Sequence, residues 1–318
     1  MEKIVFLVTG SSGMVGSRVV RDLSRRDDAR VIAVDRVAPV RELENVDYLT
    51  MDWMSKGTIE AISEISHKID YIIHLAAVTD LNGRCLGHYD FNYLSILKVK
   101  ELSDLFSVKR VVFSSTQLVK NIWLEEDAPP LTFYGESKRI AEFLISSLLP
   151  NKAVIVRLTT VWGEGHNQHY DRFIHYLRRG FYFHMGTSPV YKSYSYIGNC
   201  AYQIINICQN DKSNFKNKAF YICDPEPIEI RKYVDDICAQ IGAKRPMTLP
   251  RSLSILFAMG GDALNKIGIN FPFNSYRLNN IICCYIYENQ ELHEMVVDLP
   301  YTYESAMEEY GLWLRTKE

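Results

Sequence analysis

The sequence carries little net charge of either sign. Its 36 lysines and arginines nearly balance 38 aspartates and glutamates, and the formal net charge is −2. Nucleic-acid-binding proteins and proteins that adhere to anionic membranes usually show an excess of basic residues. The overall charge therefore predicts neither a nucleic-acid partner nor a membrane partner, and any phosphate-bearing ligand must be met by local groups.

Paired cysteines are also missing. The chain has seven cysteines, an odd number, and none of them forms a CxxC pair. A disulfide framework needs an even set, and a structural zinc site needs closely spaced ligands. The spacing predicts reduced structural thiols and no metal site.

No hydrophobic run is long enough to cross a bilayer. The most apolar late stretch, "LSILFAMGG" (253–261), is followed within five residues by Asp262, Asn265 and Lys266. A spanning helix needs about 20 apolar residues. The N-terminal "MEKIVFLVTG" leads directly into a glycine motif, which indicates a first strand and not a signal peptide. We expect a cytoplasmic protein.

Short apolar segments alternate with helical patterns over the first half of the chain. The predicted strands lie at 3–10, 30–35, 46–52, 69–77, 109–116 and 152–162. Most are continuously apolar, as expected of strands that are covered on both faces. Strand–helix alternation requires right-handed crossovers. The sequence therefore predicts an α/β fold built on a doubly wound parallel sheet of the Rossmann type.

The length and the later pattern predict a second, smaller domain. A chain of 318 residues is long for one core, and proline-marked turns at 224–227 and 245–250 replace the regular alternation. We expect a dinucleotide-binding domain at 1–162, to which 191–223 returns through a strand at 219–223. The interleaved remainder, 163–190 and 224–318, is the predicted substrate domain.

Three glycines follow the first strand, in "VTGSSGMVGSRVV". Gly10, Gly13 and Gly16 allow a tight turn, a close approach of backbone to a pyrophosphate, and packing of the following helix on the sheet. The spacing is GxxGxxG, and a tight turn alone could require it. Its coincidence with a strand, a helix and the acidic Asp35 favours dinucleotide binding. The predicted contacts from this turn include Ser12, Met14 and Val15.

The residues after the second and third strands bear on the choice of cofactor. Asp35 suits the adenosine ribose hydroxyls and repels a 2′-phosphate, which favours NAD over NADP. Arg36 beside it could neutralise that phosphate, so NADP remains the alternative. Asp52, followed by Trp53, is a candidate for the adenine amino group or, equally, a cap of the strand end.

The stretch "FYGESK" (133–138) places Tyr134 and Lys138 four residues apart at a helix start. Residues at this spacing share one helix face. A free phenol has a pKa of about 10 and is a poor base at neutral pH. A nearby ammonium together with a nicotinamide cation would lower that pKa by roughly three units, at about 4 kcal/mol. We therefore expect Tyr134 to be an acid–base residue that Lys138 assists.

Together these motifs resemble the extended short-chain dehydrogenase/reductases of the NAD-dependent sugar epimerase/dehydratase family. The resemblance runs over the whole chain and rests on "TGSSGMVG", Asp35, "HLAA" (74–77), Asn92, "VVFSST", "YGESK" and "RLTTVWGEG". It implies that Tyr134 is the acid–base, that Lys138 also holds the nicotinamide ribose, and that Thr116 bonds the reacting hydroxyl. Thr116 could instead satisfy loop backbone. Further implied cofactor contacts are Leu75, Ala76, Ala77, Asn92 and Ser114.

The reaction that the resemblance implies is transient oxidation of a nucleotide sugar, followed by return of the hydride to its other face. Dehydratases of the family generally carry an acid two residues after the catalytic threonine. Here Gln117 and Leu118 follow Thr116, which argues against dehydration. Net dehydrogenation or ketone reduction is the first alternative. An NAD-binding regulatory protein is the second.

The substrate positions depart from the family pattern. Thr160 stands where an asparagine is usual, and Lys192 stands where an arginine commonly meets a diphosphate. Arg277 is a further phosphate candidate or, equally, a surface arginine. A segment rich in histidine and tyrosine, 163–196, suits a stacked sugar or base, or core packing. The resemblance also implies a homodimer formed by the helix near 92–106 and the helix that Tyr134 heads.

Overall fold

The computed structural model describes residues 2–120, 130–166, 168–210, 218–269, 271 and 273–317, without the side chains of Gln168 and His169. The chain divides into two compact units. Unit 1 comprises Met1–Val161, Ser195–Cys223 and Glu288–Pro300, and unit 2 comprises Trp162–Tyr194, Asp224–Tyr287 and Tyr301–Glu318.

In chain order the strands are β1 (Ile4–Thr9), β2 (Ala29–Asp35), β3 (Val46–Thr50), β4 (Tyr71–His74), β5 (Arg110–Thr116), β6 (Ala153–Leu158), β7 (Thr160–Trp162), β8 (Phe183–Met185), β9 (Tyr191–Lys192), β10 (Tyr194–Tyr196), β11 (Ala219–Ile222), β12 (Ile228–Glu229) and β13 (Met247–Leu249). The helices are α1 (Met14–Ser24), α2 (Thr58–Ile65), α3 (Phe91–Leu105), α4 (Phe133–Leu148), α5 (Gln168–Arg178), α6 (Ile197–Gln209), α7 (Ile230–Gln240), α8 (Arg251–Lys266), α9 (Ser275–Ile282), α10 (Gln290–Met295) and α11 (Tyr303–Arg315).

Unit 1 is built on a parallel seven-stranded sheet with the order β11-β6-β5-β4-β1-β2-β3. Alternate side chains of β1 enter different cores: Phe6 and Val8 pack with α1 and α6, whereas Val5 and Leu7 pack with α2, α3 and α4. Both faces of the sheet are therefore covered, which explains why the strand segments are continuously apolar. The predicted doubly wound α/β fold is confirmed.

The parallel register brings the carboxyl ends of three strands together. Thr9 at the end of β1 pairs with His74 at the end of β4, and His74 pairs with Phe113 of β5. Ligands of doubly wound sheets bind at this edge. Helix α4 begins beside this edge of the sheet. Thr132 caps its N-terminus and accepts a hydrogen bond from Gly135 N at 3.0 Å. Gly135 also lies against the Leu118 carbonyl, where a Cβ would come within 2.3 Å.

Three parts of the chain fall outside the domains expected from the sequence: Trp162, which lies in unit 2, and the two segments that follow. Residues 191–194 lie in unit 2, because β9 pairs with β12 through Lys192 and Ile228. Glu288–Pro300 lies in unit 1, because Leu292 and Val296 are buried in the core beneath the sheet.

Unit 2 has an aromatic core. The Trp162 ring lies with its centroid 5.3 Å from Tyr233, 6.1 Å from Tyr303 and 5.7 Å from Tyr310. His166 from the histidine- and tyrosine-rich segment joins this cluster, with a ring nitrogen 2.7 Å from the Tyr310 hydroxyl. These contacts are core packing. Among the described residues no group of three or more His, Cys, Asp or Glu could hold a metal ion, and no helix within them has the length and apolar character needed to cross a membrane.

Candidate active site

The glycine turn leaves room for a ligand against bare backbone. Gly10 has φ +68°, and a Cβ there would lie 2.7 Å from Ala76 N. A Cβ on Gly16 would lie 2.0 Å from the Gly10 carbonyl. Gly13 is the N-cap of α1, and no side chain caps that helix end. A turn that only glycine can form, followed by an uncapped helix N-terminus, fits a pyrophosphate. Met14 and Val15 open the helix at this point.

The Asp35 carboxylate joins the glycine turn to the segment after β2 through hydrogen bonds. Its Oδ2 accepts a hydrogen bond from Ser12 N and its Oδ1 accepts one from Val37 N, both at 3.0 Å. Ser12 Oγ in turn donates to Val37 O at 2.7 Å. Each carboxylate oxygen can accept a further bond, so the residue fits a ribose diol. Arg36 is exposed.

Asp52 and Trp53 have structural partners of their own. The exposed Asp52 carboxylate accepts a hydrogen bond from Met54 N at 2.7 Å and so caps the turn after β3. Trp53 is buried, and its Nε1 donates to Ser95 O at 3.2 Å. The cap interpretation of Asp52 is thus observed, while a contact with adenine stays a prediction.

A buried hydrogen-bond chain that the sequence analysis missed supports the "HLAA" segment. His74 Nδ1 lies 2.8 Å from Thr9 Oγ1, and His74 Nε2 lies 3.0 Å from Ser95 Oγ. Ala76 N donates to Thr9 Oγ1 at 3.2 Å, and Leu75 N donates to Thr9 O. Burial, with a smaller effect of the Lys138 charge, lowers the pKa of His74 to about 3. The neutral ring thereby sets the position of the backbone that follows β4, including Ala77.

Asn92 joins this backbone to α4. Its Oδ1 accepts from Val78 N at 2.7 Å, and its Nδ2 donates to Val78 O at 3.0 Å and to Ser137 Oγ at 2.9 Å. The side chain is buried. Its observed contacts are therefore with protein groups, and a direct contact with the cofactor stays a prediction.

The three predicted catalytic side chains come together at the end of β5. The Thr116 side chain lies close enough to the Tyr134 hydroxyl to lower the pKa of that tyrosine by hydrogen bonding. Lys138, one turn further along α4, is 1 % exposed, and its Nζ donates to Ser114 O at 2.8 Å. The same ammonium lies 4.9 Å from the centroid of the Phe113 ring. Thr116 Oγ1 also accepts from the Leu118 amide at 3.3 Å, so its bond to loop backbone is observed, while a bond to the reacting hydroxyl stays a prediction.

The pKa of Tyr134 departs from the sequence expectation. Burial raises it to about 12, the hydrogen bond from Thr116 lowers it, and the neighbouring Tyr89 raises it. The Lys138 ammonium itself donates to the Ser114 carbonyl. Burial thus outweighs the other effects within the chain, and the lowering expected from Lys138 together with a nicotinamide cation stays a prediction.

Behind Lys138 lies an ion pair that the sequence analysis missed. Arg157 donates to both carboxylate oxygens of Glu142, at 2.9 and 2.7 Å, and Ser115 Oγ donates to the same carboxylate at 2.5 Å. Burial lowers the pKa of Lys138 to about 7, and the Glu142 charge opposes that shift. Glu142 is four residues from Lys138, so helical spacing was the signal that could have revealed it.

The predicted substrate residues are divided between the units. Thr160 is half-buried in unit 1, with Thr116 and Tyr134. In unit 2, Lys192 is buried and its Nζ donates to Asn280 O at 2.5 Å, while Arg277 is exposed on α9.

Residues 6–198 match the sequence profile of the NAD dependent epimerase/dehydratase family. UDP-glucose 4-epimerase of Streptococcus mutans is 29% identical over 159 residues, which are 45% of this chain and 46% of that protein. The sterol-4-alpha-carboxylate 3-dehydrogenase (decarboxylating) of Dictyostelium discoideum is 25% identical over 313 residues, which are 87% of this chain and 93% of that protein. The first alignment thus spans about half the length of its relative, and the second spans nearly all of it.

Solved structures show the same fold over the full length. UDP-N-acetylglucosamine 4-epimerase from Methanobrevibacter ruminantium superimposes with a TM-score of 0.73 at 19% identity and full coverage of both chains. UDP-glucuronic acid 4-epimerase from Bacillus cereus, in complex with UDP-glucuronic acid and NAD, gives 0.73 at 16% identity, covering 99% of this chain and 100% of the other. With the profile matching more than half of its length, the chain belongs to the NAD-dependent epimerase/dehydratase family of enzymes.

Proposed function

We propose that this enzyme is an NAD-dependent nucleotide-sugar epimerase that acts by transient oxidation of an alcohol to a keto-sugar. The observation that carries the proposal is that Tyr134, Thr116 and the buried Lys138 ammonium come together at the carboxyl end of β5, where Lys138 Nζ donates to Ser114 O at 2.8 Å. Several structural neighbours are named as UDP-sugar epimerases, which makes UDP-sugars the first substrates to test.

The residues around the glycine turn fit an NAD cofactor. The glycine turn and the N-terminus of α1 would hold the pyrophosphate, and Asp35 would accept hydrogen bonds from the adenosine ribose, which favours NAD over NADP. When bound, NAD supplies the hydride acceptor and a positive charge that opposes the effect of burial on the pKa of Tyr134. Lys138 would hold the nicotinamide ribose.

The proton transfer is carried out by side chains of the protein. Tyr134 takes the proton of the reacting hydroxyl through its phenolic oxygen and returns it when the alcohol is restored. Thr116 donates to that oxygen, which favours the phenolate and fixes its position. Glu142 favours the protonated form of Lys138, and the charge of Lys138 stabilises negative charge that develops nearby.

The remaining parts of the proposal concern the substrate and the assembly. Thr160 would contact the sugar, and Lys192 and Arg277 would meet its diphosphate. Apolar side chains that α3 and α4 leave exposed, among them Leu97 and Phe143, would pack in a homodimer. The enzyme would work in the cytoplasm.

A second candidate is a dehydrogenase or reductase that exchanges its cofactor at each turnover. The observation that favours it is coverage: the sterol dehydrogenase of Dictyostelium aligns over 93% of its length, whereas UDP-glucose 4-epimerase of S. mutans aligns over 46%. The two candidates differ in cofactor stoichiometry, since an epimerase leaves the redox state of NAD unchanged.

The test is incubation of the protein with a panel of UDP-, GDP-, dTDP- and CDP-sugars, with products followed by NMR and absorbance at 340 nm. We expect an isomeric product without net NADH, and its loss in Tyr134→Phe. The matched control is Tyr176→Phe, an exposed tyrosine of α5, which should keep full activity. NADH formed in proportion to substrate would favour the dehydrogenase, and equal activity of the two variants would overturn both candidates.

A further inference from the structure

Helix α8 of unit 2 has its large apolar side chains on the outside. Its buried positions are the small residues Ser254, Ala258 and Gly261. Leu264 is half-buried, and the other five large apolar side chains of the helix are 42 to 64 % exposed, namely Leu253, Ile255, Leu256, Phe257 and Met259. This is the reverse of an ordinary surface helix, which turns its apolar face to the core.

Close contacts fix this orientation. A Cβ on Gly261 would come within 1.8 Å of the Phe273 carbonyl, so no larger residue fits there. Ser254 Oγ lies 3.2 Å both from Pro250 O and from the Met185 sulfur of β8. Turning the large side chains inward would require this packing to be rebuilt, so the exposed apolar face is a fixed feature of the unit.

The apolar surface continues past the end of α8. Ile267 and Ile269 are 71 and 53 % exposed, and Tyr276 at the start of α9 is 51 % exposed. Scattered apolar residues on a surface need no explanation, but a contiguous set marks an interaction site. From Leu253 to Gly260 the exposed positions of α8 carry no polar side chain.

The charge of this segment differs from that of the whole chain. Residues 251–282 contain three cations, Arg251, Lys266 and Arg277, against one carboxylate, Asp262, for a local net charge of +2 in a chain of net charge −2. Ser275 donates its backbone N–H to that carboxylate at 3.3 Å. Arg251 and Lys266 are exposed at the two ends of α8. The whole-chain charge therefore concealed a basic, apolar element.

We propose that α8 lies in the plane of an anionic lipid bilayer surface and inserts its exposed apolar face below the headgroups. A 16-residue helix is too short to span a bilayer but suits the interface. Arg251 and Lys266 reach the lipid phosphates from the two ends, with their aliphatic stems along the apolar layer. A protein partner would need polar groups to fix its register, and the exposed positions from Leu253 to Gly260 offer none. This proposal departs from the expectation of no membrane partner.

The test is sedimentation of the full-length protein with vesicles of phosphatidylcholine, alone or in an equimolar mixture with phosphatidylglycerol. We expect binding to the anionic vesicles, weakened by salt. The triple variant Leu256→Ser, Phe257→Ser, Met259→Ser should bind at least about a hundredfold more weakly, since about 0.8 kcal/mol is lost for each buried methylene removed and about four methylenes already account for that factor. Leu312→Ser, at an exposed leucine of α11, should bind as the wild type does.

Two further outcomes decide against the proposal. The circular dichroism spectrum and the NAD affinity show whether the triple variant is folded, and both should match the wild type. If the folded triple variant binds anionic vesicles as strongly as the wild type does, the inference is overturned. Light scattering in the absence of lipid is the second check. The wild type could form oligomers while the triple variant is monomeric, with neither protein binding vesicles. That result would assign the face to contacts between copies of this chain instead.

Discussion

Lys138 should make the protein more stable at alkaline pH than at neutral pH. Burial lowers the pKa of its ammonium from 10.5 to about 7, and the pKa returns to about 10.4 when the chain unfolds. Between these limits the unfolded chain binds a proton that the folded chain does not. The free energy of unfolding therefore rises with pH through this window and falls as the pH returns to 7.

The magnitude follows from the two pKa values. One proton taken up on unfolding corresponds to about 1.4 kcal/mol per pH unit. Because the lysine is already half neutral near pH 7, the gain between pH 7 and pH 9 is about 2 kcal/mol. With an unfolding entropy of about 2.1 cal/mol/K per residue over 318 residues, this gain raises Tm by about 3 °C.

The assay compares the wild type with Lys138→Met by thermal unfolding from pH 7 to pH 9, on protein stripped of nucleotide. Other groups titrate in this range, so the informative quantity is the difference in Tm between the two proteins. It should change by about 3 °C in favour of the wild type as the pH rises. Lys56→Met, at an exposed lysine, should give a constant difference. If the Tm values of the wild type and of Lys138→Met change with pH in parallel, the reasoning is refuted.

Three other substitutions probe the site. Gly16→Ala should weaken NAD binding more than about tenfold in calorimetry, because its Cβ would lie 2.0 Å from a carbonyl of the turn. Unchanged affinity would contradict a pyrophosphate site at the glycine turn. Glu142→Gln leaves the half-buried Arg157 charge unpaired and should cost about 3 kcal/mol of stability in denaturant unfolding, and adding Arg157→Met should restore part of it. Thr116→Val removes the hydrogen bond that lowers the pKa of Tyr134, so the acidic limb of the pH–rate profile should move to higher pH; an unmoved limb would exclude this role.

Much of the fold could be predicted from the sequence, because its signals are local. Continuous apolar runs such as that of β1 require a sheet covered on both faces. The spacing of Tyr134 and Lys138 places both on one helix face. The glycine spacing around Gly10 required a turn whose tightness the structure shows directly.

The features that could not be predicted depend on tertiary contacts. Glu142 meets Arg157 only because α4 packs beside β6, and the pKa of Tyr134 follows its burial instead of its neighbour in sequence. Asn92 was assigned to the cofactor by resemblance, yet its observed partners are Val78 and Ser137. Apolar periodicity likewise could not tell that α8 turns its large side chains outward, since the pattern does not say which side meets the core.

Transient oxidation is tested most directly by running the reaction in deuterium oxide with the sugar nucleotide that the NMR panel identifies. In the proposed mechanism the hydrogen leaves the reacting carbon as hydride and returns to the same carbon, so it never exchanges with solvent. We predict an epimer without deuterium at the inverted carbon and no net change in absorbance at 340 nm. Deuterium at that carbon, or NADH accumulating in step with product, would contradict the account.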